Sequence, residues 1–147
     1  MKVGLVCSHG GHLTEMLALM EAFGGKEVFF VTYDTPRTRT LQYPKRFVPN
    51  IGTNPFKMFI SFIKMIKIIW TEKPDIILST GSEITIPAFF VAWFFRINTI
   101  YIESWCRTST PTLTGKLVYP ISSVFLVQWP KMQEVYGKKA KFLGSVI

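Results

Sequence analysis

The chain has 147 residues, 48% of them hydrophobic, with 17 basic residues against 9 acidic ones and a formal charge of +8. A chain of this size buries roughly 70% of the surface it exposes when unfolded, which excludes intrinsic disorder and predicts a single domain over residues 1–147. Cys7 and Cys106 form no CxxC pair, so neither a disulfide framework nor a metal site is expected, and a reducing setting fits best.

Residues 2–7 (KVGLVC) form an apolar run of strand length that turns polar too soon for a signal peptide or a membrane span. Residues 13–23 place Leu13, Met16, Leu17 and Met20 at helical spacing, and residues 27–32 (EVFFVT) read as a second strand, which makes a βαβ unit. Residues 34–50 hold Pro36, Pro44 and Pro49 among Arg37, Arg39, Lys45 and Arg46. They read as a mobile loop with one candidate strand at Arg46-Phe47-Val48. A long helix is predicted over residues 55–72, capped by Asn54, with Pro55 at its first position and Pro74 ending it.

Residues 75–80 (DIILST) form the next strand, and Gly81-Ser82-Glu83 a turn. Residues 84–95 (ITIPAFFVAWFF) follow as a buried helix, well short of the roughly 20 residues a membrane-spanning helix needs. Residues 99–103 are a strand, 111–118 a weak helix, 123–127 a strand, 131–136 a helical turn and 140–143 a last strand. Strands apolar on both faces, alternating with helices, predict a doubly wound α/β fold with a parallel, Rossmann-like sheet. Such sheets bind ligands at the carboxyl ends of their strands. Three polar loops fall there, at Ser8-His9-Gly10-Gly11-His12, Ser79-Thr80-Gly81-Ser82-Glu83 and Glu103-Ser104-Trp105, and all three are expected to open on one crevice.

In the first loop, Gly10 and Gly11 let the backbone approach a ligand while the helix that follows offers free N–H groups to a phosphate. His12 is placed to act as a general base or to hold a sugar hydroxyl or phosphate oxygen; its plainer role is to cap the helix beside a tight turn. Asp34 falls about twenty residues further on, where a dinucleotide fold carries its ribose-binding acid, although acids also cap such turns. Gly81, Ser82 and Glu83 compose either a backbone nest for a phosphate or sugar, or a capping cluster with Ser82 as the N-cap. Glu103 ends an apolar strand, so its carboxylate either faces the crevice beside Ser104 or pairs with Arg107.

At about 100° per residue the long helix gathers Lys57, Ser61, Lys64, Lys67, Ile68 and Thr71 on one face. Phe56, Phe59, Ile60, Phe62, Ile63, Met65, Ile66, Ile69 and Trp70 cover the rest. That apolar arc is wider than one core contact requires. It predicts a lipid interface, with Lys57, Lys64 and Lys67 on anionic headgroups and Phe59 and Trp70 at the boundary; the alternative is burial between the sheet and a neighbouring loop. Nucleic-acid binding is not expected, because the aromatics sit in the apolar arc and no helix-turn-helix or zinc pattern occurs.

Together, SHGGH, STGSEITIP and IYIES resemble the acceptor-side half of GT-B glycosyltransferases acting on lipid-linked substrates. The nearest resemblance is to the membrane-associated subunit of the two-part UDP-GlcNAc transferase of the dolichol pathway and to its bacterial relatives in capsule and exopolysaccharide synthesis. The resemblance implies a peripheral protein on the cytoplasmic face of a membrane that binds a lipid-pyrophosphate acceptor. It would have no bound cofactor of its own, because a small donor-binding subunit would hold most of the UDP-sugar. His12 matches an active-site histidine of the related single-chain lipid II transferase. Gly10, Gly11, Gly81 and Ser82 match phosphate-contacting loops, and Glu103 a polar residue facing the cleft. Eukaryotic relatives begin with a spanning anchor, so here the basic helix over residues 55–72 would supply attachment. The competing readings are a stand-alone nucleotide-binding module centred on Asp34 and a non-catalytic membrane scaffold working through Lys57, Lys64 and Lys67.

Overall fold

In a computed structural model, which describes residues 1–146, the elements follow in the order β1 (Lys2–Val6), α1 (Gly11–Ala18), β2 (Glu27–Tyr33), α2 (Pro36–Arg39), β3 (Lys45–Val48) and α3 (Pro55–Glu72). They continue with β4 (Ile76–Ser79), α4 (Thr85–Phe94), β5 (Asn98–Ile102), α5 (Leu113–Val118), β6 (Val124–Val127), α6 (Pro130–Tyr136) and β7 (Ala140–Phe142). The strands pair in parallel in the order β3-β2-β1-β4-β5-β6-β7. The chain therefore starts in mid-sheet, builds outward to β3, crosses back to β4 and builds outward the other way. Loops leaving β1 and β4 part in opposite directions, and a crevice opens between them at the carboxyl edge.

Each face of the sheet carries its own core. Val6, Phe29, Val31, Ile77, Tyr101 and Phe125 pack under α3, α4, α5 and α6, while Val3, Leu5, Cys7, Phe30, Leu78 and Ile102 pack under Leu13 and Met16 of α1. Gly4 keeps β1 close to its neighbours: a Cβ there would stand 2.7 Å from Ile77 and 2.9 Å from Phe29. Cys7 belongs to this interior. Burial pushes its thiol up to about 12, so it is an inert core residue and no nucleophile.

The segment over residues 34–50, read as a mobile loop with a candidate strand at Arg46-Phe47-Val48, holds the short helix α2 and bears out that strand as β3. Thr35 and Thr38 form a reciprocal capping box for α2, and the Thr38 hydroxyl donates to the Tyr33 carbonyl at 2.6 Å. β3 then pairs with β2 as a basic edge strand, a common protection against edge-to-edge association. The helix predicted over residues 13–23 breaks into α1 and a short 3₁₀ turn at Met20–Phe23. α3 keeps its predicted bounds, because Asn54 Oδ1 accepts from the N–H groups of Phe56 and Lys57 and Lys73 closes the other end in the left-handed region.

Two faces need correcting. Ser61 and Ile68, expected beside the lysines, point inward with Met65 and Ile69. The amphipathic pattern marks an apolar arc but not which part of it meets the sheet. α4, expected to be buried, hides Ala88, Phe89, Val91 and Ala92 yet leaves Trp93 and Phe94 58% and 77% exposed. Among the described residues, no helix is long and apolar enough to cross a membrane.

Below the sheet, Lys2 bonds Glu72 at 2.7 Å and Glu27 at 3.2 Å, and Arg46 closes on Glu72, so one carboxylate ties α3 to β1 and β3. Hydrogen bonding from Lys2, aided by Arg46, holds the Glu72 carboxyl below its usual range against the opposing effect of burial. A lowered folded-state pKa stabilises above the unfolded value of 4.5, and the contribution is lost as pH falls through the folded value. Glu72→Gln should therefore cost about 1–2 kcal/mol at neutral pH, a penalty that fades below about pH 4. Denaturant unfolding at the two pH values measures it.

Candidate active site

The crevice at the switch between β1 and β4 is closed by a reciprocal pair. His12 Nδ1 lies 2.8 Å from the Thr80 carbonyl oxygen, and the Thr80 hydroxyl donates to the His12 carbonyl at 2.7 Å. A carbonyl can only accept, so Nδ1 carries a proton, which in the neutral ring leaves the lone pair on Nε2. Gly81 lies under the ring at φ +114°, and a Cβ on it would meet His12 Cε1 at 2.8 Å. The glycine is thus required twice, for its backbone and for the space.

The cavity beside this pair has a volume of about 420 Å³ and is lined by Gly11, His12, Thr14, Glu15, Ser104, Trp105, Cys106, Arg107 and Thr112. Its floor is the first turn of α1, which no side chain caps and whose leading N–H groups favour an anion. Arg37 reaches over from α2 and donates to the carbonyls of His9 and Gly10 and to the Thr14 hydroxyl, which fixes the glycine turn. Gly10 occupies the cap position, and its carbonyl accepts from the N–H groups of Leu13 and Thr14. His12, Gly11 and Ser104 are therefore brought together as expected, with Gly10 and Gly81 holding their backbone.

Glu103 does not face this cavity. It is 1% exposed and accepts from the Tyr101 hydroxyl, the Ser104 N–H, both donors of Thr112 and the Tyr136 hydroxyl, with no contact to Arg107. Those donors satisfy a buried charge and bind β5, α5 and α6 together. Three of the five donors come from Thr112 and Tyr136, and only the fold gathers those around the strand end.

Ser82 and Glu83 also stand outside the cavity. Ser82 does not cap α4, whose cap position is Ile84; it takes φ +77° and donates to Glu83, which also accepts from the Tyr33 hydroxyl at 2.9 Å. Burial opposes ionisation of Glu83, but these hydrogen bonds outweigh it and hold the carboxyl below its ordinary range. Asp34 is exposed and gripped by Arg39 at 2.6 Å. The acid that does line the crevice is Glu15, which the sequence reading passed over. The available signal was its spacing, three residues after His12 and so on the same helical face.

Around α3 the surface divides into sectors. Phe56, Phe59, Ile63, Ile66 and Trp70 are exposed in a stripe continued by Trp93 and Phe94 of α4. Lys57, Lys64 and Lys67 border it and are exposed as well.

A seven-stranded parallel sheet wound both ways from a central switch, with its polar loops at the carboxyl edge, is a doubly wound, Rossmann-like fold, and its structural neighbours are halves of GT-B proteins. MurG of Acinetobacter baumannii superposes with a TM-score of 0.82 at 17% identity, over 99% of this chain and 45% of that one. A UDP-GlcNAc 2-epimerase of Methanocaldococcus jannaschii, solved with UDP-GlcNAc and UDP, gives 0.78 at 17% identity, over 99% and 47%. At this identity the likeness is one of fold.

A family model described as "Oligosaccharide biosynthesis protein Alg14 like" matches residues 45–146, and the chain belongs to that family. Its relatives include the UDP-N-acetylglucosamine transferase subunit ALG14 of Mus musculus, 25% identical over 97% of this chain and 82% of the relative. The proteins of the same name in Homo sapiens and Candida albicans are 30% and 31% identical over 76% of this chain, an alignment that spans about half of each relative, 51%.

Gly81→Ala should both strain the turn and drive the His12 ring from Thr80, lowering stability by about 1–3 kcal/mol. Thermal unfolding of the variant checks this.

Proposed function

We propose that this chain is the acceptor-side, membrane-associated subunit of a two-component UDP-sugar-dependent glycosyltransferase in lipid-linked oligosaccharide or polysaccharide synthesis. The observation that carries the reading is the site itself: a histidine held by the Thr80 carbonyl and an uncapped helix N-terminus on one wall of a switch-point crevice, on a sheet whose fold matches 45% of the MurG chain. The naming of its relatives as transferase subunits supports the same division of labour. A donor-binding subunit would hold the UDP-sugar against this wall. The anionic linkage of a lipid-pyrophosphate acceptor would lie on the first turn of α1, near Gly10 and Gly11, with Ser104 at the lip.

Transfer would then proceed by attack of an acceptor hydroxyl oxygen on the anomeric carbon. The sugar–phosphate bond breaks, UDP leaves with the bonding electrons, and His12 Nε2 takes the hydroxyl proton. Glu103, enclosed by its donors, has no part in that step and serves to hold Ser104 and Thr112.

The exposed stripe of α3 and α4 supports a peripheral seat on an anionic leaflet, with Phe59 and Trp70 in the acyl boundary and Lys57, Lys64 and Lys67 on headgroups. Helices of a parallel α/β unit start at the carboxyl edge, so the N-terminal end of α3 stands at the same edge as the crevice. A lipid-linked acceptor held there stays close to the surface that carries its tail.

Sugar transfer to a lipid-pyrophosphate acceptor, assayed with this chain, a donor-binding subunit and both together, is expected only in the mixture. His12→Ala should reduce that rate by roughly 10²- to 10⁴-fold; a near-normal rate removes the base assignment. Sedimentation with vesicles should show binding to anionic but not neutral lipid, weakening with salt. Each of Lys57→Gln, Lys64→Gln and Lys67→Gln should cost about fivefold in affinity, from about 1 kcal/mol per lysine.

A further inference from the structure

Glu15 is an acid on the inner face of α1, only 3% exposed, in a core otherwise built of Leu13, Met16 and strand residues. Its two oxygens have different surroundings. Oε1 accepts the Trp105 N–H at 2.5 Å, with the Ser104 hydroxyl and the Gln128 amide at 3.4 Å. Oε2 is buried with no hydrogen-bond partner and stands 3.8 Å from His12 Nδ1. A buried carboxylate oxygen without a donor is costly, and a purely structural clamp on Trp105 would need only the other oxygen.

We propose that Glu15 is a positioning residue for His12. Its free oxygen is the counter-charge that offsets the positive charge of the ring when the imidazole takes a proton, while its bound oxygen holds the Ser104–Trp105 lip of the same crevice. The inference rests on the reading of His12 as the base. The proton that arrives at Nε2 creates an imidazolium whose Nδ1–H already points at the Thr80 carbonyl. Glu15 Oε2 lies beside that N–H in a water-poor site, where an opposite charge favours the charged ring.

The other groups around the ring do not replace it. Arg37 on α2 is spent on the His9 and Gly10 carbonyls, Cys106 and Arg107 line the same cavity and carry no carboxylate, and Tyr101 near Gly81 donates to Glu103. Glu83 is turned to Tyr33. Among the described residues, Glu15 is the one carboxylate lining the cavity. Burial raises the Glu15 carboxyl, opposed by the Trp105 N–H and by His12 when charged.

The test is the titration of the His12 ring by NMR in the whole chain, with the His9 signal assigned through His9→Gln. Glu15→Gln keeps an oxygen for the Trp105 N–H and removes the charge. It should move the His12 midpoint, and with it the acid limb of the transfer rate in the reconstituted pair, to lower pH. An unmoved midpoint overturns the proposal and leaves Glu15 a structural clamp. Should the variant fail to fold, the unmodified chain decides: the His12 signal must show a second inflection where Glu15 titrates, and a single inflection overturns the proposal. A coupled titration together with a fully active His12→Ala would instead remove the base reading and leave the pair intact.

Discussion

The pair of bonds between His12 and Thr80 is the constraint around which the site is organised. It spans the point where the chain, having built the sheet to one side, returns to build it to the other. Without it, two loops that part in opposite directions would have no fixed relation. With it, the His12 tautomer, the position of Gly81 and the first turn of α1 are set together. Glycine at 81 follows from this contact, since any side chain there would occupy the place of the ring.

Two buried carboxylates near this point differ in a way that separates support from chemistry. Glu103 is surrounded by hydroxyl and N–H donors from β5, α5 and α6, so its charge is satisfied and unavailable. Glu15 is satisfied at one oxygen only, and the other faces the histidine. In a low-dielectric interior the number of donors around each oxygen, more than the burial itself, decides whether an acid is only a fastening or keeps an oxygen free to act on a neighbouring group.

On the far face, α3 performs three tasks with one pattern. Ser61, Met65, Ile68 and Ile69 meet the core, the exposed aromatic stripe lies to one side, and the lysines border it. Glu72 at the helix end joins Lys2 and Arg46, which fixes the rotation of the helix about its axis and thereby the direction in which Phe59 and Trp70 face. The stripe is continued by Trp93 and Phe94 because α4 packs against α3.

Much of this was legible in the amino-acid order. The strands over residues 2–7, 27–32, 75–80, 99–103, 123–127 and 140–143 emerged within a residue or two, because buried parallel strands are short apolar runs between turn signals. α3 was bounded by the local chemistry of Asn54, Pro55 and Pro74. The alternation of these elements determined a doubly wound sheet and the placement of His12, Gly11 and Ser104 at one edge. Contacts between distant positions decided the rest. α2 hides in a polar stretch because a four-residue capping box leaves little periodic signal, whereas the candidate strand at Arg46-Phe47-Val48 is found as β3. Glu103 was displaced from the crevice by Tyr136, 33 residues along the chain, and Glu15 gained its place from Trp105, 90 residues along. Local sequence decides which stretches become helix or strand, whereas the surroundings of a buried charge are set by whichever distant donors the fold brings to it.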